Sequence, residues 1–218
     1  MIKKIFKIFV NTSILKSLYF NIKYFGIKGL IFPVLIGHKV ELKKLKGKII
    51  IENMKPGNIK FGIYCPGNYP NSTTSSFSNS GIMYFKQKAS FGKGFRITNK
   101  GYLEIGNNFL LTAASLICCE EKIIFKNNCN ISWNCEIYDT DFHKIYNENG
   151  ELINKPKAIF FGEKNWICSG TKILKGCKFN NETIIAANSC ISNKTFDLAN
   201  IIVAEHGKII NKNIKWEL

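Results

Sequence analysis

The sequence predicts an all-β solenoid in which short strands wind three to a turn, with a short helical segment in front of it. Three observations carry that reading. From Phe161 to Ile191 an apolar residue stands at every sixth position: Phe161, Ile167, Ile173, Phe179, Ile185 and Ile191. Four places after each of the first five comes a small or short polar residue: Asn165, Thr171, Cys177, Thr183 and Ser189. The same spacing recurs upstream in three sets, Phe85–Phe91–Ile97, Ile105–Leu111–Ile117 and Phe125–Ile131–Ile137. A helix repeats at about 3.6 residues and a half-buried strand at about two, so neither gives a strict six. A unit of one strand and one corner does. Three such units close a triangular coil, and stacked coils bury a continuous apolar column.

The corners are legible too. Gly92, Gly94, Gly106 and Gly162 gather after the apolar positions, as do the pairs Asn107-Asn108, Asn127-Asn128 and Asn180-Asn181. Both residue types tolerate the positive φ that a tight corner demands. The upstream sets are separated by steps of eight rather than six, so each of those coils carries two extra residues at one corner. Ile201–Val203 starts the last rung. From Ile137 to Phe161 no repeat position is filled. That polar stretch, with Gly150 and Pro156, leaves the coil as an extruded loop over 138–160, and its base carries Asp139, Asp141 and His143. Loops held on a rigid scaffold are a favoured place for chemistry.

Ahead of the repeat, residues 33–64 read as short strands, with Val40, Leu42, Leu45, Ile49, Ile51, Ile59 and Phe61 divided by Gly47, Pro56-Gly57 and Gly62. Residues 66–81, rich in Pro, Asn, Ser and Gly, read as a surface loop. Residues 1–32 are apolar and basic and read as an amphipathic helical segment. Lys7, Asn11 and Lys16 interrupt the apolar core that a signal peptide needs. A membrane span needs about 20 apolar residues in a row, which this segment lacks. It packs on the domain or on a neighbouring subunit, the favoured reading, or makes peripheral contact with an anionic membrane. The β-helix domain then covers 33–203, and 204–218 form a basic C-terminal tail.

The net charge of +16 is almost wholly lysine, with Arg96 the one arginine. The lysines are scattered and no RNA-binding signature accompanies them, so a nucleic-acid partner is not expected. None of the eight cysteines forms a C-x-x-C pair, so no metal site is expected. Cys129, Cys135 and Cys177 fall on interior slots, and the usage suits reduced thiols in a cytoplasmic protein.

The hexad register and the segments ISWNCEIYDTDFH, FGEKNWICSGTKILKG and IIAANSCIS resemble the hexapeptide-repeat acyltransferases, among them the maltose and galactoside O-acetyltransferases and the O-acetyltransferases of capsule and lipopolysaccharide synthesis. The resemblance implies a left-handed parallel β-helix, a homotrimer and active sites between adjacent subunits. It implies an acetyl-CoA-dependent O-acetyltransferase acting on a sugar or glycan hydroxyl, with direct transfer in a ternary complex. His143 matches the family's catalytic histidine. It is also the one good candidate base in the chain, at a loop base beside Asp139 and Asp141, either of which could fix its tautomer. Trp166 matches a tryptophan beside the acyl donor, and it should face outward because Ile167 faces in. Ser169 and Ala187 match positions along the pantetheine arm, and Lys208 and Lys212 match basic positions that meet the nucleotide phosphates. Trp133 and Asn134 are expected to line the acceptor side of the same pocket. Two segments depart from the family: AEHGK (204–208) replaces G-N-P-A-K/R, and Thr112-Ala113-Ala114 stands where many sugar acetyltransferases carry an asparagine. An N-acetyltransferase of an amino sugar and a non-catalytic scaffold stay open as alternatives.

Overall fold

The computed structural model describes residues 10–64 and 73–217. The strands of these residues form three sheets, here A, B and C, of nine, seven and seven strands. The chain visits A, then B, then C, and returns to A one layer further on. The first coil runs through Val34–Ile36, Val40–Leu45 and Lys48–Ile51, and Ile59–Phe61 opens the second. All pairings are parallel except the last, where Lys208–Lys212 folds back antiparallel on Ile201–Ala204.

The hexad positions become vertical ladders. In sheet C, Phe85, Ile105, Phe125, Phe161, Phe179 and Phe196 are successive partners. Sheet A stacks Phe91, Leu111, Ile131, Ile167, Ile185 and Val203 in the same way. Sheet B stacks Ile97, Ile117, Ile137, Ile173 and Ile191. Every one of these side chains is buried. Phe125, Phe161, Phe179 and Phe196 lie nearly parallel, with ring centroids 4.7, 5.2 and 5.1 Å apart. The short residues four places on are buried as well, and Asn165, Thr171 and Thr183 close their corners with their own polar groups. Asn165 Oδ1 accepts from Thr183 N at 2.6 Å, and Thr171 Oγ1 donates to Ala186 O at 3.1 Å.

The wider upstream corners have a column of their own. Asn79, Asn99 and Cys119 are partners in successive coils between sheets B and C. Asn99 Nδ2 donates to Asn79 Oδ1 at 2.8 Å. Asn108 and Asn128 take φ of 56° and 61°, as the corner reading requires, but at the corners after Phe161 and Phe179 the positive φ falls on Lys164 (55°) and Glu182 (54°) rather than on Gly162 or the Asn180-Asn181 pair. Gly92 answers to space instead, since a Cβ there would sit 1.6 Å from Thr112 O.

Within the β-helix domain expected over 33–203, the register of six begins before Phe85: Phe61 pairs with Phe91, and Phe77 with Ile97. The expected loop over 66–81 in fact contains the sheet-B strand Ser75–Asn79; residues 66–72 lie outside the described residues. That strand hides its hexad because Ser75 and Asn79 point inward beside Phe77. They are tolerated there because Ser75 Oγ accepts from Gly94 N at 2.9 Å and Asn79 Nδ2 donates to Lys48 O at 3.2 Å. The tail is also more than a tail, as Lys208–Lys212 is a strand and Trp216 is buried.

Helix α1 (Ile14–Phe25) closes the first coil. Ser13 caps it, accepting from Lys16 N at 3.4 Å, and Gly26 ends it at a φ of 56°. Its buried side carries Phe20, which plugs the apolar column against Phe61 and Phe77 at 6.1 and 5.5 Å. Ser17 and Asn21 flank Phe20 and bond the exposed edge of the first sheet-A strand. Ser17 Oγ accepts from Ile36 N at 2.9 Å, while Asn21 accepts from Val34 N at 3.1 Å and donates to Val34 O at 2.7 Å. An open strand edge invites pairing with another chain, and α1 occupies this one.

Removing one ring from the stack tests the ladder. Phe161→Ala should lower stability by about 3–5 kcal/mol in chemical denaturation. Its half-exposed neighbour Phe160 points outward, and Phe160→Ala should cost well under half of that. Equal losses would contradict the inward register.

Candidate active site

The corner between sheets B and C releases the long connection 139–158 in the coil where the hexads stop. Asp139 marks the exit. It is fully buried, and its carboxylate accepts three backbone N–H groups, from Glu120 at 2.7 Å, Glu121 at 2.8 Å and Lys122 at 2.7 Å. It follows Asn79, Asn99 and Cys119 in the corner column and satisfies the wide corner below it. The neck closes where Lys157 N donates to Asp139 O at 3.0 Å. The expectation that Asp139 orients the imidazole is therefore corrected, because its oxygens are committed to the backbone.

Asp141 anchors the loop instead. Its Oδ2 accepts from Asn154 Nδ2 at 3.0 Å and from Lys175 Nζ. Lys175 is only 8% exposed, and it also donates to Asn154 O at 3.1 Å. Its hydrogen bond, ahead of its charge, holds the Asp141 carboxyl below the usual value. Asn154 clips both arms, donating to His143 O at 2.7 Å and accepting from Ile145 N at 2.7 Å. The tip is a small hairpin with a Tyr146–Leu152 bridge.

His143 sits between these clips. Its N–H donates to Asp141 O at 2.7 Å, and the residue before it, Phe142, holds a φ of 65°. A bulky side chain in the left-handed region is strained, and strain of this kind collects at functional sites. His143 lines a cavity with Lys100, Glu120, Phe142, Lys144, Leu152 and Pro156. Among the described residues, no side chain hydrogen-bonds the imidazole. Asp141 thus fixes the backbone under His143 rather than its ring, a second departure from the expected roles.

The other predicted residues stand elsewhere on the prism. Trp133 and Asn134, then Ser169, then Ala187, stack layer by layer along the corner between sheets A and B. Gly170 N donates to Trp133 O at 3.1 Å, and Asn188 N to Ser169 O at 3.0 Å. Trp133 and Ala187 are exposed there. Trp166 faces outward from sheet A, pairing with Asn130 and Ile184. Its Nε1 donates to Ser132 Oγ at 3.1 Å. Lys208 and Lys212 are exposed at the ends of the antiparallel strand. One chain therefore carries two groups, the His143 loop at the B–C corner and the Trp166, Ser169 and Ala187 edge around sheet A, with the face of sheet B between them.

Two residues of this arrangement went unnoticed in the sequence. Lys175 follows a hexad position and looked like one more surface lysine. Trp216 lies in the tail, yet its ring packs 5.6 Å from that of Trp166 and its Nε1 donates to Lys164 O at 3.1 Å. The buried cysteines are inert packing: burial pushes the thiols of Cys129 up to about 12 and of Cys135 and Cys177 up to about 11.

The fold is a left-handed parallel β-helix of stacked hexapeptide repeats. No family model matches the chain. A stretch of 56 residues is 41% identical to a polysialic acid O-acetyltransferase of Neisseria meningitidis, covering 25% of this chain and 26% of that protein. The match thus spans about a quarter of that relative's length. The crystal structure of the polySia-specific acetyltransferase NeuO overlays with a TM-score of 0.58 at 17% identity, over 82% of this chain and 72% of that one. That of the polysialic acid O-acetyltransferase OatWY overlays with a TM-score of 0.43 at 19% identity, over 83% of this chain and 92% of that one.

The clip makes a prediction with a pH dependence. The depressed Asp141 carboxyl contributes its pairing above the unfolded value of 3.8, and loses it only as pH falls through its lowered folded value. At neutral pH the pair is intact. Lys175→Met should then speed tryptic cleavage at Lys144 several-fold at neutral pH, with the coil's thermal transition nearly unmoved. Unchanged cleavage would show that the ion pair does not hold the loop.

Proposed function

We propose that this protein is an acetyl-CoA-dependent O-acetyltransferase that modifies a hydroxyl of an acidic glycan. The observation that carries the proposal is the placement of His143. The hexad scaffold expels a long loop at this corner, and a clip made by the buried Lys175 with Asp141 and Asn154 fixes the backbone on which the imidazole rides. A general base needs a fixed approach to its proton, and this loop supplies one.

The acceptor class rests on charge. Lys144 and Lys100 share the His143 cavity, Lys100 paired there with Glu120 at 2.9 Å, and the chain carries a net charge of +16. The relative matched in sequence is named for polysialic acid, an acidic polymer. Lysines beside the base would hold an acceptor's carboxylates while a neighbouring hydroxyl meets the imidazole.

The donor fits the opposite group. Ser169 and Ala187 stack with short side chains along an exposed corner, and an extended pantetheine arm needs such a margin. Trp166 would flank the thioester end. Trp133 and Asn134 lie on the same corner toward the acceptor, and Lys208 and Lys212 offer charge to the nucleotide phosphates. Because one chain sets these groups on different corners, the site forms between copies. In the proposed homotrimer the His143 loop of one subunit meets the Trp166 edge of the next.

The chemistry is then direct. His143 takes the proton of the acceptor hydroxyl as its oxygen attacks the acetyl carbonyl. The tetrahedral intermediate collapses, breaking the C–S bond, and the imidazolium returns the proton to the thiolate of coenzyme A. No covalent acetyl-protein is formed, since among the described residues no activated nucleophile stands beside the base.

The test is acetyl-CoA consumption with oligosialic acid as acceptor. His143→Ala should lower turnover by about 10²–10⁴-fold with little change in the KM for acetyl-CoA. Near-normal transfer by that variant would overturn the proposal.

A further inference from the structure

Helix α1 is inside out. Its buried side carries Ser17 and Asn21 beside Phe20, because it caps a strand edge that needs polar partners. Its outer side carries Leu15, 80% exposed, with Ile14, Tyr19 and Ile22. The following 3-10 segment, Gly26–Ile31, adds Ile27, 84% exposed, with Leu30 and Ile31. Packing on the coil accounts for none of these seven side chains. Single exposed apolar residues are ordinary, but a contiguous set on one end of a domain marks a contact.

The charge around that face selects the partner. The first forty residues hold seven lysines and no acidic residue before Glu41. Lys23 and Lys28 are exposed among the apolar side chains. Lys16 is turned back to the carbonyls of His38 and Val40, at 2.7 and 2.9 Å. A protein partner would have to be both apolar and acidic to match a segment this free of carboxylates. A lipid surface with anionic headgroups rewards both features, the apolar side chains at the acyl boundary and the lysines at the headgroups. Among the described residues no helix is long and apolar enough to cross a membrane, so contact lies in the plane of the surface.

We propose that the outer face of α1 and the adjoining 3-10 segment is a docking surface for an anionic membrane. The coil then stands on the bilayer by its first turn, with the His143 loop held away from the lipid by the intervening coils. The docking is independent of the acetyl transfer proposed above.

Sedimentation of the full chain with vesicles tests it. The protein should pellet with phosphatidylcholine–phosphatidylglycerol vesicles and not with phosphatidylcholine alone, and added salt should release it. Leu15→Ser with Ile27→Ser should weaken binding at least tenfold. Lys23→Gln with Lys28→Gln should do the same, and neither pair touches a buried side chain, so the thermal transition should hold. No pelleting with anionic vesicles would overturn the proposal, as would equal pelleting with neutral ones or full binding by both variants. A drop in oligomeric mass in the Leu15/Ile27 variant, without vesicle binding by the parent, would assign the face to a second copy and end it too. Acetyl transfer to a soluble acceptor should be unchanged in both variants.

Discussion

The structure depends on vertical registration of the hexads. Each inward side chain rests on its counterpart one coil below, so one register error would push a whole strand's apolar set outward. The Phe125–Phe161–Phe179–Phe196 stack shows how tight that constraint is, with ring planes 5°, 11° and 12° apart. Phe125 and Phe161 are stacked neighbours in space although the His143 loop separates them in sequence. The loop can therefore be long without disturbing the column, provided its two ends are tied together. Asp139 does the tying, with both oxygens on the corner beneath and its carbonyl on Lys157.

That division of labour explains why the carboxylates near the histidine are hard to assign from the chain alone. Asp139, Asp141 and His143 sit at alternate positions, and the sequence makes the two acids look equivalent. Depth separates them. Asp139 still belongs to the coil, where backbone donors are in excess. Asp141 already belongs to the loop, where a lysine from the next coil reaches it. The distinction turns on Lys175, which no sequence pattern singles out among so many lysines.

The fold was legible where hexads are apolar and spaced by six or eight. It became illegible where polar side chains take inward slots, as at Ser75 and Asn79, because their role rests on hydrogen bonds that only the stacked coil supplies. The corner chemistry was legible at Asn108 and Asn128, but not where Lys164 and Glu182 take the left-handed conformation. Trp216 was not, since a tryptophan in a basic tail carries no period. The candidate residues of the site could be named from the chain, but their arrangement could not. His143 and Trp166 lie on different corners of one chain, and sequence spacing does not say which chain each serves.

The central claim is that a functional site is completed across two copies, with the histidine from one and the tryptophan edge from the other. Mixing two inactive variants tests it most directly. His143→Ala and Trp166→Ala subunits, unfolded together and reassembled, should regain a substantial share of acetyl transfer, because some interfaces then pair an intact His143 loop with an intact Trp166 edge. Reassembled mixtures no more active than either variant alone would contradict the account.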